Sequence, residues 1–363
     1  MTEQAKLDRL DAYLATNDLG SVWFATPPMF AWLTGGDNLV AREGAAGVAA
    51  AGYDGEEVTV VTSSIEGQRL RDEEVDADVR LVEHPWHERG VEEAVADVAA
   101  TPAAADVAWD GFDRVVRSDV TQPLTDDDVE RYRDLGRETA EAVEEVTQGV
   151  SPTDTERELA ARLHYQLQRR GIDSPVVLVG GADRLQRYRH FTPTDVEVGS
   201  YAVLTVVGVR HGCNAAVTRT VAFDDAPDWL GDRHADVSRV AATAAAATRQ
   251  AGTEGGTAGD VFEAIQTAYD ELGYEDEWEN HHQGGALGYA SREWTATPGH
   301  DAPIELPMAY AWNPTVEGAK SEDNVLATAD GVEVLSTTGE FPTLTAEAVG
   351  MDAELTLPDV LRK

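Results

Sequence analysis

The chain has 363 residues, enough for two domains with separate cores, and its 42% hydrophobic content is ordinary for a globular protein. Its 67 acidic and 28 basic residues give a formal net charge of −39, which disfavours duplex nucleic acid, whose phosphates need a basic face. A single cysteine, Cys213, excludes an internal disulfide and a cysteine-rich metal site, and no apolar run approaches the ~18 residues of a membrane span.

Leu7, Leu10 and Leu14 recur at helical spacing over residues 3–16. "SVWFAT" reads as a strand, and "FAWLTGG" ends in a Gly-Gly turn. "GVAAAG", "EVTVVTS" and "VRLVEHPW" read as strands, "GVEEAVADVAA" as a helix and "DVAWDG" as a strand. This alternation predicts a small α/β domain over residues 1–122, closed by the turn-rich boundary "SDVTQPLTDDD". A long helix follows in "DVERYRDLGRETAEAVEEV". Ser151 and Pro152 are expected to cap the next helix, "TERELAARLHYQLQRRG". "SPVVLVGG" reads as a strand, and two further strands meet in a hairpin at Gly212. Helices around 233–251 and in "AGDVFEAIQTAYDELG" precede C-terminal strands in "AYAWNPTV", "NVLATAD" and "VEVLSTT". Residues 123–363 therefore form an α+β domain.

Charge speaks to habitat. Acidic residues are spread along the chain, and lysine occurs only at Lys6, Lys320 and Lys363. The Debye length falls from ~10 Å at 0.1 M salt to ~3 Å at 1 M, so molar salt relieves such self-repulsion. We read a halophilic, cytoplasmic protein. The N-terminus lacks the basic start and apolar core of a secretory leader.

Three stretches carry candidate chemistry. In "ENHHQGGALGYASREW", His281 and His282 are adjacent, so an extended backbone points them to opposite faces, and no HExxH zinc spacing is present. In "AWNPTVEGAKSEDNVL", Asn313 closes one strand, Glu322 and Asp323 open the next, and Lys320 stands near as an ion-pair partner. In "RYRHFTPTD", His190 lies in a loop after a strand. The glycine-rich stretches lack the context of a dinucleotide site or a P-loop, and no GxSxG elbow is present.

Together, in this order, the "HGCNAAVTRT" hairpin, the "HHQGGALGYASRE" loop and the "KSEDNVL" strand resemble the aminopeptidase P, methionine aminopeptidase and creatinase superfamily. The resemblance implies a pita-bread catalytic domain, preceded by a smaller α/β creatinase-like domain, and a homodimer. Peptidases of this fold hold two metal ions with two aspartates, a histidine and two glutamates. Carried onto this chain, those positions are Thr205 or Val206, Ala216, His281, Asn313 and Glu322. Three have lost their charge, and one histidine with one carboxylate does not compensate two dications. The expectation is no metal and no cofactor.

The loop is similar to that of creatinase, which breaks a C–N bond without metal. That similarity makes His281 and Glu322 the catalytic candidates. His281 activates water and protonates the leaving nitrogen, a task suited to an imidazole neutral near pH 7. Glu322 holds a cationic part of the substrate or orients His281. His190, Asn313, Tyr289, Arg292 and His282 are the substrate-binding candidates. Tyr289 lines the pocket through its hydroxyl, and Arg292 either pairs with Glu293 or takes a substrate carboxylate. The expected function is hydrolysis of a small C–N compound, an amide or amidine, and the expected partner is a small-molecule or short-peptide substrate. The alternatives are a metal-dependent Xaa-Pro aminopeptidase or dipeptidase, and a non-catalytic amino-acid or peptide binder.

Overall fold

The computed structural model describes residues 3–363, which divide into two compact units between Asp127 and Asp128. Met1 and Thr2, which begin the segment read as lacking a leader, lie outside the described residues. No helix among the described residues is long and apolar enough to cross a membrane.

The first unit is a six-stranded mixed sheet. Its strands are β1 (Ser21–Phe24), β2 (Ala49–Tyr53), β3 (Val58–Ser63), β4 (Arg80–His84), β5 (Ala103–Ala105) and β6 (Asp113–Arg114), in the order β4-β3-β2-β1-β5-β6. Helices Gln4–Asn17, Pro27–Thr34 and Val91–Ala96 accompany it. Its core gathers Trp23, Ala50, Val61, Val95 and Ala105. One expected strand moves: "DVAWDG" is irregular, and the pairing strand is the preceding β5. Asp106 ends that strand by turning its carboxylate onto the backbone N–H groups of Ala25 (2.7 Å) and Thr26 (3.1 Å). A side chain spent on backbone donors competes with a continuing ladder.

The second unit is α+β. Helices Asp126–Gln148, Glu156–Gln168, Leu230–Glu254 and Ala258–Glu271 go with two larger sheets. The first sheet holds β7 (Asp173–Gly181), β8 (Tyr201–Arg210) and β9 (Cys213–Ala222). The second contains β10 (Gly284–Ala286), β11 (Trp294–Thr295) and β12 (Met308–Trp312). After Pro314 the chain forms a short pair, β13 (Thr315–Val316) and β14 (Ala319–Lys320), before β15 (Asp323–Ala327) and β16 (Val332–Val334) complete the second sheet as β11-β10-β12-β15-β16. A hairpin of β17 (Thr343–Glu347) and β18 (Glu354–Pro358) precedes β19 (Leu361–Arg362), which joins the first sheet as β19-β9-β8-β7.

The β8–β9 hairpin turns on two residues, His211 (φ 50°) and Gly212 (φ 79°), between the paired Arg210 and Cys213. Two positive φ values in a two-residue loop match the twist of the flanking strands. The second helix does not start at Ser151-Pro152. Thr155 caps it, accepting from the Glu158 N–H (3.2 Å) while Glu158 accepts from the Thr155 N–H (2.9 Å), and this reciprocal pair fixes the start at Glu156.

Candidate active site

Two loops of the second unit bring imidazoles together. His190 follows β7, and its neighbour Phe191 is buried among Leu185, Tyr201 and Val203, which anchors that loop. Arg189 forms an ion pair with Glu277, in the 3-10 turn Glu277–Asn280 that leads directly into His281. His281 Nε2 faces His190 Nε2 at 3.2 Å.

His282 departs from the expectation of opposite faces. The ring centroids of His281 and His282 are 4.5 Å apart, and both lie close to His190, at 5.0 and 5.9 Å. Alternation belongs to a paired strand, and β10 begins only at Gly284, so it does not govern residues 281–282. Gly284 has φ 107°, and a Cβ there would stand 2.1 Å from the Ala311 carbonyl oxygen, so the Gly-Gly step is required by close backbone approach. Gln283 fixes the loop from inside: its Nε2 donates to the His281 carbonyl (2.6 Å), and its Oε1 accepts from the Tyr269 hydroxyl (2.9 Å).

The hairpin register separates the two options for the first ligand position. Thr205 pairs with Thr218 and Val207 with Ala216, so Thr205, Ala216 and Thr218 share one face and Val206 points to the other. The Thr205 and Thr218 hydroxyls bond at 2.8 Å, and Thr218 Oγ1 donates to Glu322 Oε2 at 3.4 Å. Hydroxyls and a methyl therefore occupy the face where the resemblance calls for two aspartates.

Glu322 is 4% exposed and is held by two cations: Lys320 Nζ at 2.8 Å and Arg292 Nη2 at 3.3 Å. Burial alone would raise its pKa, but Lys320 and Arg292 outweigh burial and lower it to about 2. His281 is also buried; desolvation first, then the Lys320 charge, lower its pKa to about 3. The imidazole is thus neutral near pH 7, as expected, but a weaker base in the free site than that expectation assumed. Asn313 is buried, and its Oδ1 has no hydrogen-bond partner among the described residues; the same holds for the Nε of Arg292. One buried acceptor and one buried donor are thus left without a protein hydrogen bond among the described residues.

The residues present do not fit a pair of bridged dications. Bridging needs several anionic oxygens, and the one carboxylate at the five positions is already engaged by two protein cations.

Two expected roles change. Arg292 pairs with Glu322, not Glu293, whose carboxylate instead accepts from the Tyr289 N–H at 3.0 Å. The Tyr289 hydroxyl, expected to line the pocket, is buried and donates to Asp128 Oδ1 at 2.5 Å. Three contributors went unassigned in the sequence. Thr315 Oγ1 bonds His281 Nδ1 at 3.0 Å, Thr218 reaches Glu322, and Arg219 joins Glu144 (2.9 Å) and Asp323 (2.8 Å) in a buried network under the hairpin. The only sequence signal for Arg219 is a charge inside an apolar strand run. A cleft of about 550 Å³ lined by Ala242, Arg249, Asp330 and Met351 contains none of these side chains.

Known proteins share this architecture. A model of metallopeptidase family M24 matches residues 130–329, more than half of the chain. A Xaa-Pro dipeptidase of Pyrococcus horikoshii is 23% identical over 208 residues, which cover 54% of this chain and 56%, just over half, of that relative. The structure of prolidase from Pyrococcus furiosus superposes with a TM-score of 0.70 at 18% identity, over 90% of this chain and 99% of that one. X-Pro aminopeptidase from Thermotoga maritima gives 0.73 at 17% identity, over 91% and 97%. These likenesses establish the fold, a pita-bread domain preceded by a smaller α/β domain. With the family model spanning residues 130–329, the chain belongs to metallopeptidase family M24.

Proposed function

We propose that this chain is a hydrolase of a small C–N compound, an amide or amidine, that works without the paired metal ions of its family. The observation that carries the reading is the engagement of Glu322 by Lys320 and Arg292, which puts protein cations where dications would need that carboxylate. The resemblance of the histidine loop to that of creatinase supplies the reaction type.

In the reaction, His281 Nε2 takes a proton from water as the oxygen attacks the substrate carbon. The C–N bond then breaks, and the same proton passes to the leaving nitrogen, so His281 ends neutral. Thr315 Oγ1 holds Nδ1 and fixes the ring for both half-steps. Asn313 Oδ1 and Arg292 Nε offer an acceptor and a donor to the substrate. The two cations against one carboxylate leave the site net positive when the histidines are neutral, which suits a substrate carrying a carboxylate. Such a group beside Lys320 offsets the second cause of the low His281 basicity. His190 and His282 line the substrate space beside His281, the chain acts in the cytoplasm, and a homodimer is the expected assembly.

The test is a substrate panel of carboxylate-bearing amides, amidines and Xaa-Pro dipeptides, run in molar salt with and without chelator. The expected result is chelator-resistant turnover that falls at least about 100-fold in His281→Ala, the scale of general acid–base catalysis. Full turnover in that variant removes the mechanism. Cleavage of Xaa-Pro peptides only with added metal points to the ordinary family chemistry, and tight binding without turnover points to a binder.

A further inference from the structure

One ring nitrogen from each of His190, His281 and His282 lies within 4.8 Å of the others. A tetrahedral zinc ion with Zn–N bonds of 2.0–2.1 Å holds its ligand nitrogens roughly 3.4 Å apart. The His190–His281 separation of 3.2 Å is close to that value. The three ring centroids lie 4.5, 5.0 and 5.9 Å apart, so the rings form one cluster. His281 carries the matching outer support. With Nε2 turned to the cluster, Nδ1 meets Thr315 Oγ1 at 3.0 Å, and that hydroxyl donates onward to the Asn313 carbonyl at 3.3 Å. Metal-binding histidines are commonly oriented through their second nitrogen in this way.

We propose that His190, His281 and His282 form a site for one transition-metal dication of the Zn²⁺ class. It shares only His281 with the family's ligand positions, uses no carboxylate, and takes one ion instead of two. Three neutral imidazoles and an open fourth position are a known zinc arrangement. The consequence for activity rests on the proton-transfer reading above. An ion on His281 Nε2 occupies the atom that takes the proton, so binding silences turnover.

The test uses the untagged full chain, stripped with chelator, titrated with Co²⁺ in molar salt, and followed by its visible absorption. The expected result is one Co²⁺ per chain with the intense bands of tetrahedral coordination. Affinity falls at least about 100-fold in His282→Ala, and about 10–100-fold in Thr315→Val, the range for loss of an outer-shell partner. His282 is exposed, so an unchanged melting transition in His282→Ala separates loss of a ligand from loss of the fold. Absence of tetrahedral bands, or binding indifferent to His282→Ala, overturns the site. If turnover falls as the ion binds, the site and the proton-transfer reading both hold. If turnover appears only with the ion bound, the site holds and the proton-transfer reading falls. If no ion binds and turnover persists, the reverse is true.

Discussion

On the proposed reading, Glu322 is the residue on which the chemistry of the site turns. A buried carboxylate persists only when paired, and here Lys320 is the nearer of its two partners. Lys320→Met leaves Glu322 with Arg292 alone, and denaturant unfolding should show a loss of about 3 kcal/mol, as for breaking a buried pair. The pH dependence has a definite sign. The folded-state pKa of Glu322 is depressed to about 2, so its contribution is present above the usual glutamate value near 4.3 and is lost as pH falls through about 2. In Lys320→Met the loss should begin at higher pH. At this scale the sequence was readable for residue types and less so for pairings. The His190–His281 approach follows from loop order in the family. The Arg292–Glu322 pair does not, because a sequence neighbour such as Glu293 looks the easier partner until the fold brings Arg292, between β10 and β11, to Glu322 just before β15.

At the scale of elements, the β8–β9 hairpin is pinned by one buried cation. Arg219 bonds Glu144 on the helix Asp126–Gln148, Asp323 on β15 and the Ser336 carbonyl (2.6 Å), and those carboxylates keep it protonated against desolvation. Arg219→Ala strands two buried acids and should cost about 3–5 kcal/mol in denaturant unfolding. The helix Leu230–Glu254 carries a second buried polar link, His234 Nε2 to the Pro358 carbonyl at 3.0 Å. Burial lowers the His234 pKa, so the folded chain resists a proton that the unfolded chain accepts near pH 6.5. Stability should therefore fall as pH drops below 6.5, and His234→Gln should reduce that slope in a melting series. Strand and helix periodicities are local and were legible along most of the chain. Where a side chain competes for backbone groups, as Asp106 does after β5 or Thr155 does before its helix, the boundary moved.

For the whole molecule, charge outweighs every other surface property. At −39, exposed acids repel across a dilute-salt Debye length of ~10 Å, and molar salt shortens that reach to ~3 Å. The melting midpoint should rise steadily with NaCl from 0.1 M into the molar range; a flat or falling response would contradict the salt-adapted reading. Fold and family were visible in the order of three motifs, because each motif lies where chain segments must approach closely. Substrate identity was not visible, because it depends on the shape of a space that several loops enclose together. On the proposed reading, the five family ligand positions no longer supply enough anionic oxygen for two metal ions. The direct measurement is elemental analysis of untagged protein equilibrated in molar salt with excess Mn²⁺ and Zn²⁺ and then freed of unbound ion. We predict no more than one ion per chain, lost on His190→Ala and His282→Ala together; two ions per chain at stoichiometric occupancy would contradict it.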